Sequence, residues 1–263
     1  MKIRAGYVQL RPKFGKVKEN IEKVKALLEP HEIHLVVLPE LFTTGYAFLS
    51  REELEKYAEP IPGPTVEELC EFARRKNMYI AGGIAERDGD RIYNSSFLLG
   101  PNGYMGKYRK IHLFYEEKEI FDPGDLGFPV FETPDFKAGL LICFDWLFPE
   151  AARTIALKGA HIILHSANLV LPFCQDAMIT RSIENRIFII TANRVGEEKR
   201  GDKEYAFTGM SQIVAPGGRL VLRDSPRREG AGFAKINLKE AEDKHITPEN
   251  HIFEDRRREF YEL

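Results

Sequence analysis

The sequence predicts an α/β fold in which two β-sheets lie back to back with helices outside. Three observations carry this reading. Short apolar runs alternate with amphipathic segments along the chain. The runs fall into two groups with extra hairpins, rather than into one continuous βαβ series. And 263 residues with 43% hydrophobic and 30% charged side chains suffice for a large core and are too apolar for extended disorder. No internal repeat, low-complexity stretch or interdomain linker breaks the chain, so residues 1–263 read as one domain.

The elements follow in order. Segment 3–10 alternates and is rich in β-formers, hence a strand. Over 17–29, Val17, Ile21, Val24, Leu27 and Leu28 recur at helical spacing opposite a Lys/Glu face, which predicts a surface helix. The apolar run 34–39 is a buried strand with Glu40 directly after it. A turn-rich connector at 60–64 leads to Thr65, which opens a helix with Glu68 completing a capping box. That helix turns Val66, Leu69, Cys70 and Ala73 inward. Strands follow at 79–86, 92–99 and 104–109, the last two joined by a hairpin turn at Pro101-Asn102-Gly103. Segment 115–129 is a loop with one helical turn. The strand 137–143 precedes a helix over 149–158 that Pro149 can start. A strand at 161–167, a helix at 173–186 and strands at 187–195, 207–215 and 229–237 complete the count. From residue 239 the chain is charged.

Composition excludes several classes. The 38 basic and 40 acidic residues leave a net charge of −2, so nothing points to a nucleic-acid partner or an anionic membrane surface. No apolar run reaches the roughly 18–20 residues of a membrane span, and the N-terminus runs straight into a strand pattern with no signal peptide. Three cysteines argue against a disulfide framework and for a reducing, cytoplasmic location. Few glutamines beside abundant Lys, Glu and Arg give a composition of the thermophilic type.

Neither a phosphate loop nor a G-x-S-x-G elbow is present, and no H-E-x-x-H or C-x-x-C suggests a metal. His161 and His165 share one face of a strand without nearby acidic ligands, and read as ordinary strand histidines. Three other segments each place a reactive group where an apolar strand gives out: Leu38-Pro39-Glu40, Tyr108-Arg109-Lys110-Ile111-His112-Leu113-Phe114, and Cys143-Phe144-Asp145-Trp146-Leu147-Phe148-Pro149-Glu150. In α/β sheets that edge is where ligands bind. A thiol, a carboxylate and an ammonium are a workable nucleophile, base and charge stabiliser. Taken singly, each has a plainer reading as an ion-pair partner, a solvated lysine or a small core residue.

Together, and in this order, the segments resemble the nitrilase superfamily of carbon–nitrogen hydrolases. Asn94-Ser95-Ser96, Phe121-Asp122-Pro123-Gly124-Asp125, Ser166-Ala167-Asn168 and Arg181-Ser182-Ile183-Glu184-Asn185 extend the match over about residues 3–238. The resemblance implies a four-layer αββα sandwich. It makes Glu40 the general base, Lys110 the oxyanion-stabilising cation, Cys143 the nucleophile and Glu117 a further carboxylate that positions substrate. It also implies a homodimer or larger homo-oligomer, with the tail of about 239–263 in the contacts. The backbone N–H of Phe144 can join Lys110 at the oxyanion. Trp146 and Phe173 are candidate pocket walls, with Tyr46 and Asn168. Cys70 and Cys174 read as packing residues, and Arg153 as a structural ion pair. Neither metal nor organic cofactor is called for.

The expected activity is hydrolysis of a small carboxamide through a Cys thioester. Nitrilases of this superfamily usually carry Trp-Glu after the cysteine, whereas Phe144-Asp145 stands here, as in the amidase and carbamoylase branches. Trp146-Leu147 replaces the basic residues frequent in carbamoylases, which suggests an apolar substrate side chain. Small nitriles and N-carbamoyl compounds are the alternative substrates. A non-catalytic binding protein on the same fold is the alternative of a different class, and its mark would be loss of Glu40, Lys110 or Cys143.

Overall fold

Apolar residues alternate along the central strands, and the two faces go to different places. The computed structural model describes residues 1–261. In chain order the strands and helices are β1 Lys2–Gln9, α1 Val17–Leu28, β2 Leu35–Val37, α2 Arg51–Glu55, α3 Pro64–Lys76, β3 Tyr79–Asp88, β4 Arg91–Gly100, β5 Gly103–Arg109 and α4 Glu117–Ile120. Then come β6 Val130–Glu132, β7 Lys137–Ile142, α5 Pro149–Leu157, β8 Ile162–Ser166, α6 Cys174–Asn185, β9 Phe188–Ala192, β10 Val195–Arg200 and β11 Lys203–Thr208. The chain closes with β12 Gln212–Ala215, β13 Arg219–Arg223, β14 Gly230–Asn237, β15 His245–Thr247 and β16 Asn250–His251.

Two six-stranded sheets result, ordered β14-β1-β2-β3-β4-β5 and β13-β12-β9-β8-β7-β6. Each has a parallel centre, β1-β2-β3 in one and β7-β8-β9 in the other. Their outer strands run antiparallel. From β1, Ile3, Ala5 and Tyr7 join Ala138, Leu140 and Ile142 of the second sheet in one buried cluster. Val8 and Leu10 pack instead with Ile21, Val24 and Leu28 of α1 and Val66 and Leu69 of α3. Helices α5 and α6 cover the second sheet; a Cβ on Gly139 would stand 2.3 Å from Ile155 of α5, so only glycine admits that close approach. The layering is therefore helix, sheet, sheet, helix. Each fully buried Leu, Val or Ile contributes about 1.5–3 kcal/mol, and this shared core fixes where the strand ends meet. No described helix is long and apolar enough to cross a membrane.

Four expectations change. Helix α3 starts at Pro64 with Gly63 as its cap, and no Thr65–Glu68 box forms. Proline already fills the first helical position, so the Thr65 N–H seeks an acceptor further out and finds the Glu59 carboxylate at 3.1 Å, while Glu68 pairs with Lys25. The strand expected over 187–195 stops at Ala192, because Asn193 turns its side chain to the Leu169 N–H and the Gly209 carbonyl. Residues 195–208 form a separate hairpin, β10–β11, and the edge strands β6 and β13 are additional. Among the described residues Arg153 makes no carboxylate pair: it donates to the Glu184 carbonyl at 2.8 Å and lies 5.1 Å over the Phe253 ring.

The tail docks partly on its own chain. Lys244 Nζ donates to the Asn185 and Arg186 carbonyls at 3.2 and 2.8 Å, the position at a helix C-terminus where a cation is favoured. Phe253 packs between Lys244 and Arg153. Ile246, Phe260 and Tyr261 remain exposed.

Candidate active site

Three strand ends converge. After β2, Leu38 still pairs with β3 through Ala81, and Gly83 donates to the Pro39 carbonyl at 3.1 Å. A Cβ on Gly83 would lie 2.7 Å from the Glu40 Cα, so this glycine lets the Glu40 turn sit directly on the sheet. After β5, the Lys110 N–H donates to Asn94 and its carbonyl accepts from Gly124. After β7, Cys143 opens a short 3-10 turn, Cys143–Leu147.

Glu40 and Lys110 are wholly buried, and Glu117 nearly so. Lys110 Nζ donates to Glu40 Oε1 at 2.7 Å and to Glu117 Oε1 at 2.8 Å. Asn94 Nδ2 is a second donor to Glu40 Oε1, at 2.6 Å. The Tyr46 hydroxyl donates to Glu117 Oε1 at 2.8 Å, and the Phe114 N–H to Oε2 at 3.0 Å. Glu40 Oε2, by contrast, is buried with no partner. Burial raises the Glu40 pKa, and the Glu117 charge adds to that against the pull of Lys110. Burial works against the Lys110 ammonium, yet Glu117 and Glu40 outweigh it and hold the proton firmly. An ammonium has three donors. Glu40 Oε1 and Glu117 Oε1 each take one, and Glu117 Oε2 also stands 2.8 Å from Nζ.

Cys143 has φ +40°, in the left-handed region that residues with a Cβ rarely adopt. Both ends of its turn are held. Asp145 Oδ2 accepts from the Ile142 N–H at 2.9 Å and from the Tyr108 hydroxyl at 2.8 Å, and Oδ1 lies 2.7 Å from His112 Nδ1. The Cys143 carbonyl meets His165 Nε2 at 3.0 Å. The thiol points to the Asn168 carbonyl at 3.7 Å, and Asn168 Nδ2 donates to the Glu40 carbonyl at 2.9 Å. Asn168 thus ties the surroundings of Cys143 to those of Glu40. Burial, then the Glu40 charge, push the Cys143 thiol well up, with Lys110 opposing. Both effects favour the neutral thiol. Phe144 is second in the turn, so its N–H is one of the amides a helix start leaves without an intrahelical acceptor.

Phe114, Cys143, Phe144, Trp146 and Asn168 to Leu171 line a cleft with only about 10 Å³ free, room for about one water molecule. Its walls are apolar apart from Cys143 and Asn168. Trp146 and Asn168 both border it. Tyr46 serves through Glu117 rather than as a wall of this cleft. Phe173 does not line it and is 61% exposed. A cavity of about 700 Å³ lies elsewhere, between α5, α6 and the tail, lined by Glu150, Arg153, Glu184 and Arg256 among others. Among the described residues no group of three or more His, Cys, Asp or Glu could hold a metal ion.

Sequence reasoning passed over Asn94 as a site residue, and with it Asp145, Tyr108, His165 and Glu198. Asn94 and Asp145 lie inside the matching segments, which was a usable signal. Glu198 had none: from β10 it accepts from the Tyr46 N–H at 2.8 Å and from the Ala47 N–H, and pairs with buried Arg194 at 2.9 Å. Tyr205 and Phe207 of β11 pack edge-on against the Tyr46 ring. The hairpin thus braces Tyr46, which braces Glu117.

Residues 4–245 match the family described as carbon-nitrogen hydrolase. A protein named nitrilase from Pyrococcus abyssi is 48% identical over 263 residues, covering 98% of this chain and 99% of its own length. A 2-oxoglutaramate amidase from Bacillus subtilis is 34% identical over 99% of this chain and 100% of its own. The crystal structure of a carbon-nitrogen hydrolase from Helicobacter pylori superposes with a TM-score of 0.85 at 28% identity, covering 99% of this chain and 97% of that one.

Proposed function

The chain belongs to the carbon–nitrogen hydrolase family of the nitrilase superfamily and is an enzyme of that class, and from that premise we propose that it hydrolyses small carboxamides through a Cys143 thioester. The observation that carries the reading is the unpartnered Glu40 Oε2 on a carboxylate whose charge is felt at the buried Cys143 thiol. It is the one oxygen of the Glu40 and Glu117 carboxylates that accepts no hydrogen bond, and so the one that can take a proton without first losing a partner.

In this scheme Glu40 Oε2 accepts the Cys143 proton as sulfur attacks the amide carbon. The C–S bond forms and the carbonyl π pair moves onto oxygen. The Lys110 ammonium and the Phe144 N–H receive that oxyanion, each such donor being worth about 10²–10³ in rate. The C–N bond then breaks, Glu40 returns the proton to the departing nitrogen, and ammonia leaves. Glu40 next deprotonates a water that attacks the thioester, the C–S bond breaks as Glu40 passes that proton to the departing sulfur, and the acid leaves. Glu117, held by Tyr46 and Phe114, keeps Lys110 in place. No cofactor enters the scheme.

The narrow apolar cleft favours a short, uncharged acyl group. A second reading, hydrolysis of small nitriles, is favoured by the 48% identical relative named nitrilase; attack would then give a thioimidate that water converts. The same reading includes a cytoplasmic enzyme, on the strength of three unpaired thiols. It also includes a homo-oligomer in which exposed Ile246, Phe260 and Tyr261 meet a second copy. An ammonia-release panel of short amides, nitriles and N-carbamoyl compounds tests the activity. Turnover of short neutral amides above the rest is expected; turnover of nitriles alone would replace the first reading with the second, and turnover of none would end both.

A further inference from the structure

His165 lies in β8, next to β7, and is fully buried. Its Nε2 is 3.0 Å from the Cys143 carbonyl oxygen and its Nδ1 3.2 Å from Thr191 Oγ1. A carbonyl oxygen only accepts, so Nε2 carries the proton. Burial pushes the ring's pKa down to about 4, which keeps it neutral near pH 7. Nδ1 therefore presents a lone pair, to which the Thr191 hydroxyl donates. The two partners fix one tautomer.

The carbonyl that His165 holds belongs to the same peptide unit as the Phe144 N–H. In a trans peptide the C=O and N–H point to opposite sides. Fixing the oxygen against β8 turns the N–H away from β8. Cys143 needs such an anchor, since its φ of +40° is not one that its side chain favours. Asp145 holds the preceding N–H, at Ile142, but does not set the plane of the Cys143–Phe144 peptide.

We propose that His165 is a positioning residue: by donating to the Cys143 carbonyl it sets the Cys143–Phe144 peptide plane, so that the Phe144 N–H faces the oxyanion formed at Cys143. The inference rests on Cys143 being the nucleophile. A filler of the core would act through stability alone; His165 acts on the step in which negative charge appears on oxygen.

Two small reagents separate these roles. Acetaldehyde adds to a thiol by forming a C–S bond while the carbonyl π pair moves to oxygen, which then takes the thiol's proton. Methyl methanethiosulfonate forms an S–S bond and expels methanesulfinate, with no oxyanion. Thiosulfonate labelling is read at Cys143 by peptide mapping, and aldehyde addition by the acetaldehyde concentration that halves the rate of that labelling, on wild type, His165→Leu, His165→Gln and His165→Asn. Gln carries an amide N–H that reaches the same carbonyl; Asn is one carbon too short. A full oxyanion donor is worth about 10²–10³, so His165→Leu should weaken aldehyde addition at least ~10-fold and lower kcat on an amide substrate by a similar factor, with KM little changed. Thiosulfonate labelling should stay close to wild type, and Gln should restore aldehyde addition where Asn does not. Equal aldehyde addition in all four proteins, or parallel loss of both reactions, would overturn the proposal. If the Leu variant does not fold, the contrast between Gln and Asn decides it in the same way. Should acetaldehyde fail to add to wild-type Cys143, the nucleophile reading falls and this inference with it; addition that ignores position 165 removes only the inference.

Discussion

Arg109 and Lys110 are neighbours in the chain, yet each heads a separate buried ionic cluster, and the two clusters are built to opposite specifications. Strand alternation sends their side chains to opposite faces. Arg109 meets Glu86 through Nη2 and Nε at 2.6 and 3.1 Å, reaches Asp88 at 2.6 Å and Asp125 at 3.0 Å, and lies 3.8 Å over the Tyr93 ring. Lys107 and the Ser95 hydroxyl also donate to Glu86. Both Glu86 oxygens are therefore occupied twice. In the Lys110 cluster Glu40 Oε1 is likewise doubly occupied, but Oε2 has nothing. A saturated buried carboxylate holds structure together. One left with a bare oxygen in the interior is costly, and its retention makes sense where the oxygen moves a proton.

The largest expected effects test that contrast directly. Glu40→Gln should lower the single-turnover rate by roughly 10²–10⁴. A carboxyl whose native pKa is raised by burial destabilises the fold as pH rises through that pKa, so denaturant midpoints of Glu40→Gln at pH 7 should be unchanged or higher. Glu86→Ala should do the reverse. Stripping one partner from a buried ion cluster costs about 3–5 kcal/mol, measured by urea unfolding, while the rate per folded molecule stays at the wild-type level. If Glu86→Ala abolished activity in well-folded protein, saturation would not distinguish the clusters.

A pH series sharpens the picture with a group outside both. His165 has its native pKa depressed from 6.5 to about 4. Its contribution is present above pH 6.5 and is lost as pH falls through about 4, a drop of about 3 kcal/mol. Urea midpoints of wild type against His165→Gln between pH 7 and 4 should diverge in wild type's disfavour as the pH falls. Parallel curves would mean that the ring takes up its proton without penalty. The smallest effect is expected from Tyr46→Phe. Its hydroxyl is one of three donors on Glu117, and a hydrogen bond to a charged group is worth about 1.5–3 kcal/mol. With Lys110 and the Phe114 N–H still in place, kcat should fall by about tenfold, near the lower end of that range, with little change in melting temperature.

Much of this was readable before any coordinates. Glu40 and Cys143 each follow an apolar run, where a polar reactive group marks a strand end, and Lys110 follows the return strand of the Pro101-Asn102-Gly103 hairpin. The helices α1 and α5 and the hairpin β4–β5 obey local periodicity and turn chemistry, so they were found within a residue or two. What local pattern could not show is which distant side chain completes a hydrogen bond. Glu198 reaches Tyr46 across 152 positions and Asn168 reaches Glu40 across 128; neither pairing leaves a trace in spacing. Phe173 looked like a pocket wall because it follows the Ser166-Ala167-Asn168 strand end, but it stands at the start of α6 with its ring in solvent. The Thr65 capping box failed for a local reason that was in view: Pro64 had already taken the first helical position.

The most direct test of the account is a trapping experiment on the Glu40→Gln variant. That variant keeps the thiol but loses the base for both steps, so a reactive short acyl donor such as a p-nitrophenyl ester, whose leaving group needs no proton, should load the enzyme and stall. Intact-mass and tryptic mapping after mixing should show one acyl group per chain, on the peptide that holds Cys143, persisting far longer than in wild type. Acylation of Cys70 or Cys174 instead, or a Cys143 adduct that hydrolyses at the wild-type rate, would contradict it.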